Sequence, residues 1–517
     1  MKLELKLIMT CRSFWIFTAL SIFASDICPT FGQTNNLPLV QRRWFETRTA
    51  HFNLYSCGTP QDVFKLAAQL EQFSEAYSLL AGSQALVSPP IIVMAFPNHE
   101  TMMPFLPLYN GQPGNFAGFF KRGSDENLIV LSLQAANSAQ TELHVIFHEY
   151  THLLLRRNDE FWPLWLKEGM AEIYSTFETP GGSYVRIAQP INYHLNLLAR
   201  EPLMPLADLF AVTPGSPQYN ERSLQGIFYA ESWLLTDFLI AGNNPYYKAR
   251  FGNFTTLLRE GEPPTQAFTN ALQTTLPEME NELRRYLKQS SFTPLQIALP
   301  ANISAAKILT TRIITPVEIY FHLGDELLRI NRLDNAQNYF TQAQRLAPAS
   351  PLPYEGLGLL AAEREQPTEA LRELKEALQR GSASYLVHYI YASELYQTTA
   401  DAQDRYAPLK NAEADEIRGE LEKSIVLMPN FGPSHELLGF FEMVQGNLVM
   451  AERQLQLAVQ LEPENPAYLF SLAQAQLREE KSVTARRTLQ PLLLPYVDKN
   501  LRTHAEELIQ EIDAHSR

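Results

Sequence analysis

Apolar residues in this chain recur with different periods, and each period predicts a different kind of element. Between Pro60 and Ala81, the residues Val63, Leu66, Leu70, Phe73, Tyr77 and Leu80 fall at three- and four-residue steps, the spacing of one helix face. Shorter apolar runs read as strands: Phe45–Ser56, then Pro89–Phe96 (PPIIVMAF), then Asn127–Leu133 (NLIVLSL). The loop Asn110–Gly114 between them is rich in turn formers. Gln140–Arg157 predicts a long helix, and from Trp162 to about Tyr286 the pattern is mostly helical, with loops at Thr179–Ser183 and Ala211–Tyr219. Strands followed by helices over residues 40–290 predict an α+β lobe. Residues 291–316, with Pro294, Pro300, Pro316 and β-branched runs, read as a linker or a small strand pair.

Beyond Val317 the pattern repeats every thirty-four residues. Gly324, Ala336, Phe340, Ala343 and Pro348 are followed at that interval by Gly358, Ala370, Leu374 and Ala377. Gly439, Ala451, Leu455, Ala458 and Pro463 begin a later copy, continued by Ala473, Ala485 and Leu489. Small residues suit close crossings of paired helices, and proline ends the second helix of a pair. The pattern resembles the tetratricopeptide repeat over 317–500, with a degenerate unit near 385–430 that carries an insertion around Thr398–Ala414 and closes at Pro429. The resemblance implies an all-α solenoid and a protein partner.

Composition narrows the remaining possibilities. The chain has 517 residues, 45% of them hydrophobic, which excludes a largely disordered polymer. A net charge of −14 argues against a nucleic-acid binder, because no basic balance exists to neutralise phosphates. Lys2, Lys6 and Arg12 precede the apolar run Phe14–Ala24, the pattern of a secretory signal peptide, and that run is too short to span a bilayer. The chain is therefore expected to be exported, periplasmic or secreted, with no membrane span once residues 1–32 are removed. Cleavage after Gly32 leaves Cys57 as the single cysteine, whereas cleavage after Ala24 keeps Cys28 and permits a Cys28–Cys57 bridge.

The chemistry concentrates in His144–Ser175, which contains HEYTH: His148, Glu149 and His152. On a helix, residues four apart project from one face, so both imidazoles can meet one divalent metal, and neutral imidazole suits zinc. Glu149 lies beside them as the natural general base for a water nucleophile. Downstream, WLKEGMAE supplies Glu168 on a helix beginning near Pro163; it can complete a set of two histidines and one glutamate with a position left open. His144, one turn before His148, reads as a packed histidine or one that supports a ligand from behind, since a helix cannot easily aim three successive imidazoles at one small ion.

HExxH followed by W-L-x-E-G-x-A-E resembles the gluzincin metallopeptidases, more narrowly the exported bacterial proteins that join a peptidase MA-like domain to tetratricopeptide repeats. That resemblance implies an α+β zincin-like metallopeptidase domain followed by the repeat solenoid. It implies zinc (Zn2+) held by His148, His152 and Glu168, with Glu149 as catalytic base and a peptide or protein as substrate. By the same resemblance, Glu172 occupies the place of a carboxylate that hydrogen-bonds a ligating histidine, the alternative being a solvated surface Glu. Tyr229, in IFYAESWLL, stands where a catalytic tyrosine donates to the developing oxyanion, the alternative being a packed helix aromatic. Tyr174, Tyr193 and His194 are weaker candidates, read as packing or surface residues.

The resemblance also places Asn127–Leu133 as the strand edge along which an extended substrate adds, although the run reads equally well as an interior strand. The gluzincin aminopeptidases carry a Glu in a G-x-M-E-N motif, which Gly114–Gly118 (GNFAG) lacks, so endopeptidase or oligopeptidase action is left open. A competing function is a peptidase-like scaffold without turnover that binds protein partners through its repeats.

Overall fold

The computed structural model of the chain describes residues 38–515, apart from 82–90, 110, 115–117, 124, 135–141, 156–161, 181–183, 221, 289–291, 299–309, 404–407, 464 and 495–496. The expected signal peptide, Cys28 and most of the GNFAG stretch lie outside the described residues. Cys57 carries a free thiol. Among the described residues no helix is long and apolar enough to cross a membrane.

A six-stranded mixed sheet organises the first half. Its strands are β1 (Phe45–Arg48), β2 (Phe52–Ser56), β3 (Ile91–Phe96), β4 (Gly118–Lys121), β5 (Leu128–Ser132) and, from far along the chain, Thr310–Ile313. The single strand expected over Phe45–Ser56 is two antiparallel strands, with Phe45 opposite Ser56. The turn between them is made by Thr49, whose hydroxyl meets both the N–H and the C=O of Phe52, a side-chain device that stands in for a Gly or Asn turn. Helix α1 (Pro60–Ala81) then crosses over so that β2 and β3 run parallel.

β3 and β5 are apolar at nearly every position because both faces of the sheet are covered. Ile91, Val93, Ala95, Ile129 and Leu131 face the helices of the first half. The alternate residues Met94, Phe96, Leu128 and Val130 face the opposite way, against Ile319, Leu323, Leu327 and Phe340 of the first repeat. The Asn127–Leu133 run is thus an interior strand, paired with β3 on one side and β4 on the other. Among the described residues the outermost strand at that side of the sheet is β4.

The helices that follow are α2 (Glu142–Leu155), α3 (Leu164–Ser175), α4 (Asn192–Leu198), α5 (Arg222–Ile240), α6 (Pro245–Arg259), α7 (Pro264–Leu272) and α8 (Leu276–Leu287). The stretch read as a linker or a small strand pair supplies, in its described residues, two strands that pair elsewhere. Leu295–Ala298 pairs with Tyr184–Ile187, and Thr310–Ile313 adds to the sheet beside β1. Its β-branched runs satisfy their backbone groups on strands more than a hundred positions away in sequence rather than on each other.

The thirty-four-residue period appears as successive antiparallel helix pairs. They are α9 (Pro316–Arg329) with α10 (Leu333–Leu346), α11 (Leu352–Glu363) with α12 (Pro367–Gln379), and α13 (Tyr385–Gln403) with α14 (Asn411–Leu427). Then come α15 (Gly432–Val444) with α16 (Leu448–Leu461), α17 (Pro466–Arg478) with α18 (Ser482–Leu489), and a closing α19 (Lys499–His515). The same contact recurs within pairs: a Cβ on Gly324, Gly358 or Gly439 would stand 2.6 Å from Phe340, Leu374 or Leu455 respectively. The insertion read at Thr398–Ala414 covers the end of α13 and the first residues of α14, with 404–407 outside the described residues.

Candidate metal centre

α2 packs against α3, and α3 against α5, so three helices converge where the sequence places its chemistry. α3 and α5 approach closely because residue 169 is glycine: a Cβ there would lie 2.0 Å from Thr236 Oγ1 and 2.4 Å from the Ser232 carbonyl oxygen. Glu168 and Glu172 are carried by α3 and Tyr229 by α5.

His148 Nε2 and His152 Nε2 lie 3.2 Å apart. Glu168 Oε2 is 3.2 Å from His152 Nε2 and 3.3 Å from His148 Nε2. Among the described residues these three form the one group of His, Cys, Asp or Glu side chains that can hold a metal ion. A tetrahedral zinc ion with ligands at about 2.0–2.1 Å sets them about 3.3–3.4 Å apart, so the triangle has the size of one tetrahedral face. Two imidazole nitrogens and a carboxylate oxygen also form a donor set suited to zinc.

The surroundings hold the triangle in place. His148 Nδ1 lies 3.4 Å from Glu172 Oε1, and His194 Nε2, from α4, lies 3.2 Å from Glu172 Oε2. Glu172 and His194 are both buried, which departs from the surface alternatives read for them in sequence. The Tyr219 hydroxyl donates to the remaining Glu168 oxygen, Oε1, at 3.1 Å, and shares a hydrogen bond with the Tyr229 hydroxyl. The Tyr229 ring is buried and its centroid is 6.2 Å from that of His148. His144 is half-buried and outside the triangle. Tyr174 packs in the core against Phe73 and Tyr77, and Tyr193 is exposed.

Burial by itself would raise the Glu168 carboxyl, but the charge and hydrogen bonds of His152 and His148 outweigh it and hold the group far below the ordinary carboxylate range. Burial also works against a charged His148 ring; hydrogen bonding to Glu168 and the charge of Glu172 outweigh it and lift that imidazole to about 9. A cation that enters such a site displaces the proton that the neighbouring carboxylates favour on the His148 ring. Glu149 is raised, chiefly by burial, with the neighbouring imidazoles pulling it back down.

Two partners were not legible as such in sequence. Tyr219 falls in the stretch read as a loop, with no periodicity to mark it, and only the fold brings it to Glu168. His194 is legible as a histidine but not as the neighbour of Glu172, since α4 reaches α5 and the site only through tertiary packing.

No protein-family model matches the chain, and no curated protein matches it. Solved structures similar to it include a tetratricopeptide-repeat protein with an unusual peptide-binding site, at 18% identity over 36% of this chain and 90% of that one, TM-score 0.31. A thermophilic repeat protein of Thermus thermophilus is 20% identical over 38% of this chain and 99% of its own, TM-score 0.30. The Pseudomonas aeruginosa pilF protein is 18% identical over 38% and 89%, TM-score 0.30.

Proposed function

We propose that the chain is an exported zinc-dependent peptidase whose helical repeats engage a protein partner. The observation that carries this reading is the triangle of His148, His152 and Glu168, with mutual spacings of 3.2 to 3.3 Å. When bound there, zinc supplies Lewis-acid polarisation of a peptide carbonyl and of a water nucleophile. The chain's own residues do the rest. Glu149, next to His148 on α2 and raised by burial, takes the proton of the water and passes it to the leaving nitrogen. The Tyr219 hydroxyl meets Glu168 and shares a hydrogen bond with Tyr229, and Tyr229 is the donor assigned to the developing oxyanion. Glu172 fixes the ring of His148, leaving Nε2 for the ion.

An extended substrate is assigned to β4 rather than to the interior strand Leu128–Ser132. β4 ends the sheet and packs beside α2, whereas β5 has neighbours on both sides. The testing experiment replaces Glu149 by Gln in the purified full chain. The variant keeps its zinc and loses chelator-sensitive cleavage of a peptide library; cleavage at the parental rate removes Glu149 as base. A parent chain that binds zinc yet cleaves nothing in the library favours the scaffold without turnover.

A further inference from the structure

The connection between β4 and β5 carries two acids, and the repeats hold both of them. Arg329, at the end of α9, has a side chain only 10% exposed and reaches three carboxylates. Its Nη1 is 3.1 Å from Asp125 Oδ2, its Nη2 2.7 Å from Glu126 Oε2 and its Nε 2.9 Å from Asp325 Oδ2. Tyr385, the first residue of α13, donates toward the Asp125 carbonyl oxygen at 3.0 Å and Glu126 Oε1 at 3.2 Å. Glu126 therefore has one carboxylate oxygen held from the first helix pair and the other from the third. A buried ion pair of this kind is costly unless its hydrogen bonds are complete, and here they are supplied by elements some two hundred residues away.

We propose that the first and third repeat pairs clamp this hairpin, and that Arg329 and Tyr385 are positioning residues for the strand flanking the metal centre. The physical need for a clamp lies in β4 itself. It is four residues long and outermost in the sheet, and a short strand with one neighbour opens locally at low free energy. Held at its following turn, β4 stays over α2, which carries His148, Glu149 and His152. The clamp is read from its own contacts; only the consequence for substrate rests on the proposed peptidase function.

Hydrogen exchange by mass spectrometry on the full chain tests it. In Arg329→Gln, amides of 118–127 are expected to exchange at least tenfold faster than in the parent. In Tyr385→Phe, which removes a single hydroxyl, the expected gain there is about threefold. Peptides from α1 serve as the reference and keep their parental rates. Parental rates at 118–127 in both variants overturn the clamp. If Arg329→Gln exchanges faster everywhere it has unfolded, and Tyr385→Phe alone decides. In a peptide-cleavage assay the clamp predicts a raised KM with little change in kcat. A parent chain without cleavage overturns the peptidase reading while the exchange result still judges the clamp.

Discussion

The Tyr219 hydroxyl donates to Glu168 Oε1 at 3.1 Å, on the oxygen that the two imidazoles leave free. The bond turns the carboxylate so that Oε2 alone faces His148 and His152. Partners of this kind orient a ligand, and their loss typically lowers metal affinity 10–100-fold. Tyr219→Phe keeps the ring and removes the hydroxyl. Its zinc affinity, measured by competition with a chromophoric chelator, should fall about tenfold. An unchanged affinity leaves Tyr219 a packing residue.

Glu172 bridges two histidines, with His148 at 3.4 Å and His194 at 3.2 Å. It is buried, and the charge of His194 and then of His148 outweighs the cost of burial and keeps its carboxyl below the usual range. Glu172→Gln should weaken zinc binding by about tenfold or more, and His194→Gln by less. Because His194 acts through Glu172, the double variant should lose little beyond Glu172→Gln alone. Fully additive losses in the same titration would show that the two side chains act independently.

Much of this was legible in the chain itself, and the failures share a cause. The helix Pro60–Ala81 and the repeat helices follow from local apolar spacing, which the fold keeps. HEYTH places two imidazoles together by helix geometry alone, whereas Glu168 reaches them only because α3 folds back along α2. Where a residue's partner is remote, the sequence was silent or misleading. Thr310–Ile313 finds its neighbour at Phe45–Arg48, so its run read only as a linker or a local strand pair. The strand Gly118–Lys121 is four residues beside a turn-rich loop, too short to show alternation. Tyr219 has no local signal at all, since its role is defined by a hydrogen bond across fifty-one positions.

The α3–α5 crossing makes a stability contrast between two glycines. A Cβ at Gly169 meets backbone and a β-branched side chain, neither of which can swing away, whereas nothing lies within 4 Å of one at Gly252. Gly169→Ala should destabilise by about 1–3 kcal/mol or more through forced separation of the helices. Gly252 is exposed inside α6, where alanine gains about 0.5–1 kcal/mol over glycine. Thermal unfolding checks both signs, and a Gly169→Ala chain as stable as the parent would contradict the close approach.

Asp237 is buried on α5, with the Tyr286 hydroxyl 2.6 Å from its Oδ2. Burial pushes its carboxyl up to about 7, against the pull of that hydrogen bond. In the unfolded chain an aspartic acid ionises near 3.9. Between those pH values the folded chain keeps a proton that the unfolded chain has released, so stability falls as pH rises from about 4 to about 7, by at most about 4 kcal/mol. Asp237→Asn has no proton to lose. Its urea midpoint should match the parent near pH 4 and exceed it at pH 8; a parallel pH dependence would show that Asp237 does not drive the slope.

The proposed peptidase chemistry requires that His148, His152 and Glu168 hold one ion together. Elemental analysis combined with X-ray absorption on the purified chain measures this directly. One zinc per chain is expected, bound by nitrogen and oxygen at about 2.0–2.1 Å, with stoichiometry collapsing in Glu168→Ala. A full complement of zinc in Glu168→Ala, or a parent chain that takes up none, contradicts it.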